Sequence, residues 1–289
     1  MPLVPTQQLI QMQVAAGSGV GAFNVIHIET AEALVRAAER AERPVILQIS
    51  ENCVRYHGGL EPIGIATLAI ARASSAPVAV HLDHAEDDAL ARLAVDLGFG
   101  SVMFDGAKLD YEQNVDTTVR VVEYAHAREA SVEAELGEIG GKDGAHAPGV
   151  RTDPDEARRF VADTGVDSLA VAVGSSHAMV ERNAALDLDL IARLKAAVGI
   201  PLVLHGSSGV SDDQLVAAIG AGMTKINVST HLNGFFTAAV REYLEDSPDV
   251  VDSRKYIGAG RDALGVEAER LVTLFATAAT RSTAADGDE

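Results

Sequence analysis

The chain has 289 residues, 47% of them hydrophobic, so it can bury a full core as one large domain or two ordinary ones. Lys and Arg number 23 against 42 Asp and Glu, and the resulting formal charge of −19 argues against binding to nucleic acid or anionic membranes. A phosphate group in a pocket is still compatible with this charge, because backbone N–H groups and a few cations can hold it locally.

The sequence contains no run of about 18 apolar residues that could span a membrane. Its N-terminus, MPLVPTQQLIQMQ, lacks the basic start and unbroken apolar segment of a signal peptide. Cys53 is the only cysteine and cannot form an intramolecular disulfide, which fits a reducing compartment. We therefore expect a cytoplasmic protein.

Short β-branched runs alternate with Ala-rich stretches along the chain. Strands are predicted at 19–25, 44–50, 77–83, 100–106, 131–137, 168–174, 201–206 and 224–229. Intervening segments such as TAEALVRAAERAE and SDDQLVAAIGAG show helical spacing, with Thr30 and Ser211 as predicted N-caps. The alternation predicts an α/β fold, a (β/α)₈ TIM barrel. An open doubly wound sheet is the alternative, but no G-x-G-x-x-G follows the first strand.

Two segments exceed the repeat. Residues 137–155, GEIGGKDGAHAPGVRTDPD, predict a lid or binding loop after the fifth strand. Two further helices, within GFFTAAVREYLED and GVEAERLVTLFATAA, have apolar stripes that predict packing on the barrel or on a neighbouring subunit. We expect a single domain over 1–280, including these C-terminal helices, and a disordered tail over 281–289.

Polar residues gather at the C-terminal ends of the predicted strands. In this fold those ends converge on one face, where active sites are built. The residues are Asn24, Ser50, Asp83, His84, Asp105, Glu135, His177, His205 and Asn227. Three imidazoles with an open fourth position are a typical catalytic zinc arrangement, so His84, His177 and His205 together favour a metal site, although a single histidine more often satisfies a backbone group.

The two acids, Asp105 and Glu135, could hold a second cation or tune the surroundings of the first, and a salt bridge in the barrel mouth is the alternative. His81 lies inside the third strand and is predicted to be a hydrogen-bonded core residue. The remaining histidines are predicted to lie on the surface or in loops: His27, His57, His126, His146 and His231.

Two turns follow strands seven and eight, LHGSSGV (204–210) and KINVST (225–230). Loops at these positions are the usual phosphate site of such barrels. Gly206, Ser207 and Ser208 can present N–H and hydroxyl donors. An ordinary turn of small residues is the alternative for each loop alone.

The motifs HLDH, VMFDG, SVEAELG, DSLAVAVGSSH, PLVLHGSSGV and TKINVST, in this order, resemble the class II, metal-dependent ketose-bisphosphate aldolases. This is the family of fructose- and tagatose-bisphosphate aldolases, and the resemblance extends from GAFNV to SRKYIGAGRDAL. It implies a lyase of carbohydrate metabolism and glycolysis that splits a ketose (bis)phosphate into dihydroxyacetone phosphate and an aldehyde. It also implies a homodimer or homotetramer.

The resemblance implies a role for each matching position. Asp83 would be the acid/base at the C4 hydroxyl, and Asp143, in GGKDG, would stand for the family's mobile loop Glu. The metal, Zn²⁺, would be held by His84, His177 and His205, with Asp105 and Glu135 as further candidates. Substrate and phosphate would be bound by Asn24, Ser50, Ala178, Gly206, Ser207, Ser208, Asn227, Val228, Ser229, Thr230 and Arg261. Backbone carbonyls near Ala178 and Gly206 would bind a monovalent cation, Na⁺ or K⁺.

This chain departs from the family's pattern at three places. Ala178 stands where the family often has Gly, and Asp143 is one methylene shorter than the usual Glu. Strand eight ends in NVSTHLN, with Ser229, His231 and Asn233, whereas fructose-specific members tend to carry N-x-D-T-D followed closely by Arg. The last departure argues against fructose 1,6-bisphosphate and leaves tagatose bisphosphate or a deoxy-ketogluconate phosphate open.

Three other functions compete with this one. A zinc-dependent hydrolase could use three histidines to activate water, but the phosphate site and an acid beside a zinc histidine favour an aldolase. A Schiff-base aldolase could use Lys225, but the histidines would then have no task. A non-catalytic sugar-phosphate-binding barrel would not need Asp83 together with the histidines.

Overall fold

Eight parallel strands form a closed barrel in the order in which they occur along the chain. The structure, a computed structural model, describes residues 3–136, 151–175 and 182–285. The strands are β1 Val20–Asn24, β2 Val45–Ser50, β3 Val78–Ala85, β4 Ser101–Phe104, β5 Ser131–Glu135, β6 Ser168–Ala170, β7 Leu202–Leu204 and β8 Met223–Val228. Each predicted strand overlaps an observed one, which confirms the TIM barrel, although β4, β5, β6 and β7 each end at least two residues earlier than predicted.

Helices connect the strands and cover the outside of the barrel. They are α1 Thr6–Ala16, α2 Ile28–Ala41, α3 Glu51–His57, α4 Leu60–Ala73, α5 Asp88–Leu97, α6 Tyr111–His126, α7 Pro154–Thr164, α8 Leu188–Val198, α9 Asp212–Ala221, α10 Thr230–Asp246 and α11 Ser253–Ala285. In the described part of the chain, no helix has both the length and the apolar character needed to cross a membrane.

The predicted helix starts were right for α9 and wrong for α2. The Ser211 side chain accepts a hydrogen bond from the Gln214 N–H and so caps α9. Helix α2 begins earlier than predicted, with His27 as its N-cap, and Thr30 is the third helical residue, whose hydroxyl accepts from the His27 N–H. Thr30 therefore closes a capping box from inside the helix.

Helix α1 covers the N-terminal end of the barrel. Leu9 and Ile10 are 1% and 2% exposed and pack against Val20, Ile46 and Ala79, near the starts of the first three strands. Burying the Leu9 side chain or the Ile10 side chain stabilises the fold by about 1.5–3 kcal/mol in each case. The C-terminal ends of the strands remain as the open end.

The long helix α11 packs on the barrel, as predicted. Phe275 is fully buried, and its ring centroid lies 6.4 Å from that of Phe23 on β1. Helix α10 is less covered, since only Leu232 is buried along it and Phe235 and Leu244 are exposed. Helix α11 is described as far as Ala285, inside the predicted tail. The single domain over 1–280 and the disorder of 281–289 stay predictions.

The predicted loop over 137–155 falls mostly outside the described residues, which resume at Arg151. Its last two residues belong to α7, because Pro154 begins the helix and the Asp153 side chain caps it. Pro is well suited to the first helical position, where its missing N–H would have no intrahelical partner.

We predict that Leu9→Ala lowers the free energy of unfolding by about 2–5 kcal/mol, because it leaves a cavity between α1 and the barrel. Met12, on the same helix, is 54% exposed and provides the control, Met12→Ala, with an expected change within about 0.5 kcal/mol. Denaturant unfolding measures both. Equal effects of the two substitutions would show that α1 does not seal the barrel.

Candidate active site

A cavity of about 190 Å³ opens at the C-terminal ends of the strands. It is lined by Asn24, Gln48, Ser50, Asn52, Asp83, His84, Gly206, Ser208, Asn227, Ser229 and Thr230. Five of these residues follow from the strand-end argument, and four more lie in the two turns predicted to bind phosphate, but Gln48 and Asn52 were missed. Among the described lining residues there is no Lys or Arg, so the cavity is polar without being cationic.

Two consecutive residues near the end of β3, Asp83 and His84, both line this cavity. In a regular strand, neighbouring side chains point to opposite faces. Here the pairing of β3 with β4 shifts register between Leu82 and Ala85, and His84 has a φ of +51°, in the left-handed region. That conformation costs a non-Gly residue about 1–2 kcal/mol. The irregularity turns both side chains toward one point.

The imidazoles of His84 and His205 face each other at this point. Nε2 of His84 lies 3.0 Å from Nδ1 of His205, and the ring planes are 85° apart. The opposite nitrogens are held by carboxylates: Nδ1 of His84 is 2.7 Å from Asp105 Oδ2, and Nε2 of His205 is 2.9 Å from Glu133 Oε1. A metal-binding histidine usually has its second nitrogen held in this way.

Acidic side chains complete two overlapping groups of donors. Ligand atoms of Asp83, His84 and His205 lie within 4.8 Å of one another, and those of His84, Asp105 and Glu135 form a second such group. Four of the five predicted metal residues are thus brought together. The fifth, His177, lies outside the described residues, as do Ala178 and Asp143.

The acids give this end of the barrel a strongly negative potential. Burial lowers the pKa of His84, but the charge of Asp83, the hydrogen bond to Asp105 and the charge of Glu135 together raise it to about 10. A site that favours a proton on an imidazole to this extent also favours a bound cation.

The Asp83 carboxylate is almost fully buried and is held by two amides. Gln48 Nε2 donates to Asp83 Oδ2 at 3.2 Å and to Asn24 Oδ1 at 2.9 Å, and Asn227 Nδ2 donates to Asp83 Oδ1 at 3.4 Å. The amide oxygens of Gln48 and Asn227 are buried and have no hydrogen-bond partner among the described residues. A buried acceptor left without a partner costs about 1–3 kcal/mol.

The turn after β7 and the start of α10 lie on the other side of the cavity. Gly206 has a φ of +67°, which favours glycine, and precedes a short 3₁₀ helix, Ser207–Gly209. Ser208 Oγ accepts from the N–H groups of Ser229 and His231 at 3.3 and 3.2 Å. These bonds hold the two loops together and occupy two N–H groups at the start of α10. The partial positive charge of a helix N-terminus still attracts anions.

Some predicted binding residues do not line the cavity. Ser207 is buried and donates to the Leu204 carbonyl, and Val228 is a buried residue of β8. Arg261 bonds to Asp262 and lines a separate surface pocket with Arg36 and Arg40. The structure of a single chain therefore does not support a role for these three residues in substrate binding.

Two buried residues inside the barrel, His81 and Lys225, test the predicted core histidine and the Schiff-base alternative. His81 is 1% exposed and is bonded to Ser101 Oγ at 2.7 Å, so the prediction of a hydrogen-bonded core residue is confirmed. Lys225 is fully buried and forms an ion pair with Glu133 at 2.8 Å. A Schiff base needs an accessible amine, so this pairing argues against a Schiff-base aldolase.

Comparisons with known proteins agree with this geometry. The family described as "Fructose-bisphosphate aldolase class-II" matches residues 4–280. The fructose-bisphosphate aldolase of Geobacillus stearothermophilus is 42% identical over 268 residues, which cover 91% of this chain and 93% of that protein. The probable fructose-bisphosphate aldolase of Bacillus subtilis is 39% identical, with 91% and 94% covered. The crystal structure of the YdjI aldolase from Escherichia coli K12 superimposes with a TM-score of 0.84 at 30% identity, covering 94% of this chain and 97% of that one.

Proposed function

Since the chain belongs to the class II fructose-bisphosphate aldolases, a family of metal-dependent lyases that act on sugar phosphates, we propose that it uses Zn²⁺ to split a ketose phosphate reversibly into dihydroxyacetone phosphate and an aldehyde. One observation carries the proposal. A buried carboxylate, Asp83, and the imidazoles of His84 and His205 have ligand atoms within 4.8 Å of one another. Asp83 and His84 also line the cavity to which the turns after β7 and β8 contribute.

The donor set fits a divalent metal ion. His84 and His205 would hold the ion through Nε2 and Nδ1, the nitrogens that face each other, and His177 would be the third imidazole. When bound, the ion would supply a Lewis acid that stabilises the negative charge developing on the substrate as its carbon–carbon bond breaks. Asp105 orients His84, and Glu135 adds negative charge beside it. A monovalent cation near Ala178 and Gly206 stays a prediction.

Asp83 is proposed to move the proton of the C4 hydroxyl. A general base must lie within hydrogen-bond reach of its proton, and the amides of Gln48 and Asn227 fix the orientation of this carboxylate. Asn24 and Ser50 line the same side of the cavity and would contact the sugar chain.

The phosphate of dihydroxyacetone phosphate is proposed to bind at Gly206, Ser208, Ser229 and Thr230. These residues line the cavity and bring together small side chains, hydroxyls and the N-terminus of the 17-residue helix α10. A helix N-terminus carries partial positive charge, so it can hold a phosphate without a Lys or Arg.

The identity of the ketose is proposed in two steps. The relatives named fructose-bisphosphate aldolase make fructose 1,6-bisphosphate the first substrate to test. Ser229 and His231 depart from the pattern of fructose-specific members, and this difference makes tagatose 1,6-bisphosphate and a deoxy-ketogluconate phosphate the second candidates.

Assembly into a homodimer or homotetramer is proposed through the helices after β8. The exposed Phe235 and Leu244 on α10 support this proposal. Two large apolar side chains exposed on one helix, along which only Leu232 is buried, favour contact with another subunit. A monomeric mass in light scattering at micromolar concentration would contradict it.

We predict that the purified protein cleaves at least one of these three substrates and that chelation abolishes the cleavage. Release of dihydroxyacetone phosphate measures the reaction, and added Zn²⁺ should restore it. Full activity without metal would contradict the class II mechanism. Hydrolysis of a phosphate ester without carbon–carbon cleavage would indicate the zinc hydrolase instead.

Asp83→Ala is expected to reduce the turnover number by about 10²–10⁴-fold, the usual contribution of a positioned acid/base, while zinc stays bound. Steady-state kinetics measure the turnover number, and metal analysis measures the bound zinc. Asp116→Ala, at an exposed position on α6, is the control and should leave both unchanged. Near-normal turnover of Asp83→Ala would assign the carboxylate a structural role only.

Asp143 is proposed to exchange the proton on the dihydroxyacetone phosphate carbon, since this carbon and C4 lie on opposite sides of the bond being cleaved. We predict that Asp143→Ala abolishes solvent hydrogen exchange into dihydroxyacetone phosphate without altering zinc content. NMR of the isolated triose phosphate in ²H₂O measures the exchange. If exchange persists at the unmodified rate, another acid such as Glu138 must do this work.

A further inference from the structure

A column of buried polar side chains runs through the barrel beneath the candidate active site. At its upper end, Nε2 of His205 is 2.9 Å from Glu133 Oε1, and the other carboxylate oxygen is 2.8 Å from Lys225 Nζ. Lys225 Nζ lies 3.5 Å from Nε2 of His81. The column continues from His81 through Ser101 to Thr6, the first residue of α1, by bonds of 2.7 and 2.8 Å.

The upper part of this column joins one proposed metal ligand to a charge pair that no proposed step uses. His205 and Lys225 are both 0% exposed and Glu133 is 2% exposed, so the pair has no access to solvent. Taking two charges out of water is costly, and replacing a buried ion pair by apolar residues of similar volume is often neutral or stabilising. Stability alone is therefore a poor reason for an ion pair at this position.

We propose that Glu133 is a positioning residue for His205 and that Lys225 holds Glu133 in place. This inference rests on the proposed metal site. An ionised carboxylate can only accept, so the contact with Glu133 assigns a proton to Nε2 of His205, and the Asn227 amide nitrogen, 3.1 Å from the same atom, then does not donate to it. This tautomer directs the Nδ1 lone pair of His205 at His84 Nε2. The second oxygen is occupied by Lys225, which prevents the carboxylate from rotating away.

A purely structural ion pair makes a different prediction from a positioning one. If only charge balance matters, every neutral replacement of the pair should bind metal equally well. If the hydrogen bond that residue 133 accepts from His205 matters, replacements that remove the accepting oxygen should bind metal more weakly than replacements that keep one. Two double variants with the same net charge separate these cases.

The first double variant, Glu133→Met with Lys225→Met, removes the charges and the acceptor together. The second, Glu133→Gln with Lys225→Met, removes the charges but keeps an amide oxygen that can accept from His205. The control is Glu86→Met with Lys108→Met, because this pair has the same residue types at 2.7 Å but lies on the surface. Zn²⁺ affinity is measured by competition with a chelator, and thermal unfolding of the metal-free proteins reports folding.

We expect the variant without an acceptor to bind Zn²⁺ about 10–100-fold more weakly than the unmodified chain. The variant with the amide oxygen should recover most of this loss, and the surface control should show none. Both buried double variants should remain folded without metal, because neither leaves an unpaired charge. Equal Zn²⁺ affinities of the two buried variants would overturn the proposal, whether both are weak or both are normal.

Failure of the proposed metal site would look different. In that case the unmodified chain itself would bind no Zn²⁺ in the competition experiment, and its activity would not respond to chelation. A chain that binds Zn²⁺ tightly and whose two buried double variants match each other would retain the metal site and lose only the role of Glu133.

Discussion

The pairing of β1 with β8 closes the sheet, and this closure determines what each inward-facing side chain can do. Val20 lies opposite Lys225 and Ala22 opposite Asn227, so the first and last strands bring residues about 200 positions apart into one narrow interior. Polar residues inside a closed barrel can reach only one another or a ligand. Their hydrogen bonds must therefore be satisfied within the column or at the open end.

The interior is divided along the barrel axis. Leu9 and Ile10 of α1 close one end with apolar contacts, and the amides, imidazoles and acids are concentrated toward the other. The apolar end excludes water from beneath the ion pair of Glu133 and Lys225. Since electrostatic interactions strengthen as the surroundings become drier, the seal at α1 contributes to the rigidity of the site at the opposite end.

Much of this arrangement could be predicted from the sequence, because strands that are buried on both faces read as short apolar runs. The polar residue that ends such a run marks the open end, and this rule identified Asn24, Asp83, His205 and Asn227. Glu133 was missed because its role depends on a neighbour in another strand. Its spacing from Glu135 was the available signal, since residues two apart in a strand share a face.

Other differences have equally local causes. The motif HLDH does not reveal that Asp83 and His84 face the same way, because a regular strand would separate them and the shift against β4 depends on pairing. Ser207 was predicted because its hydroxyl lies in the turn after β7, and Val228 because motif resemblance carried a whole segment over. The Ser207 side chain instead donates to the Leu204 carbonyl, and Val228 is buried in β8. Helix α2 begins before Thr30 because His27 supplies the cap, a residue outside the usual capping set.

The absence of Lys and Arg from the described lining of the cavity affects how a substrate arrives. A sugar phosphate carries the same sign of charge as this chain, whose net charge is −19, so the long-range field opposes their encounter. Screening by salt weakens that field beyond about 10 Å at 0.1 M ionic strength. Capture should therefore become faster, not slower, as ionic strength rises. The phosphate is attracted only when it is close enough to form hydrogen bonds with oriented N–H groups and hydroxyls. Binding therefore depends on short-range contacts and not on long-range electrostatic attraction.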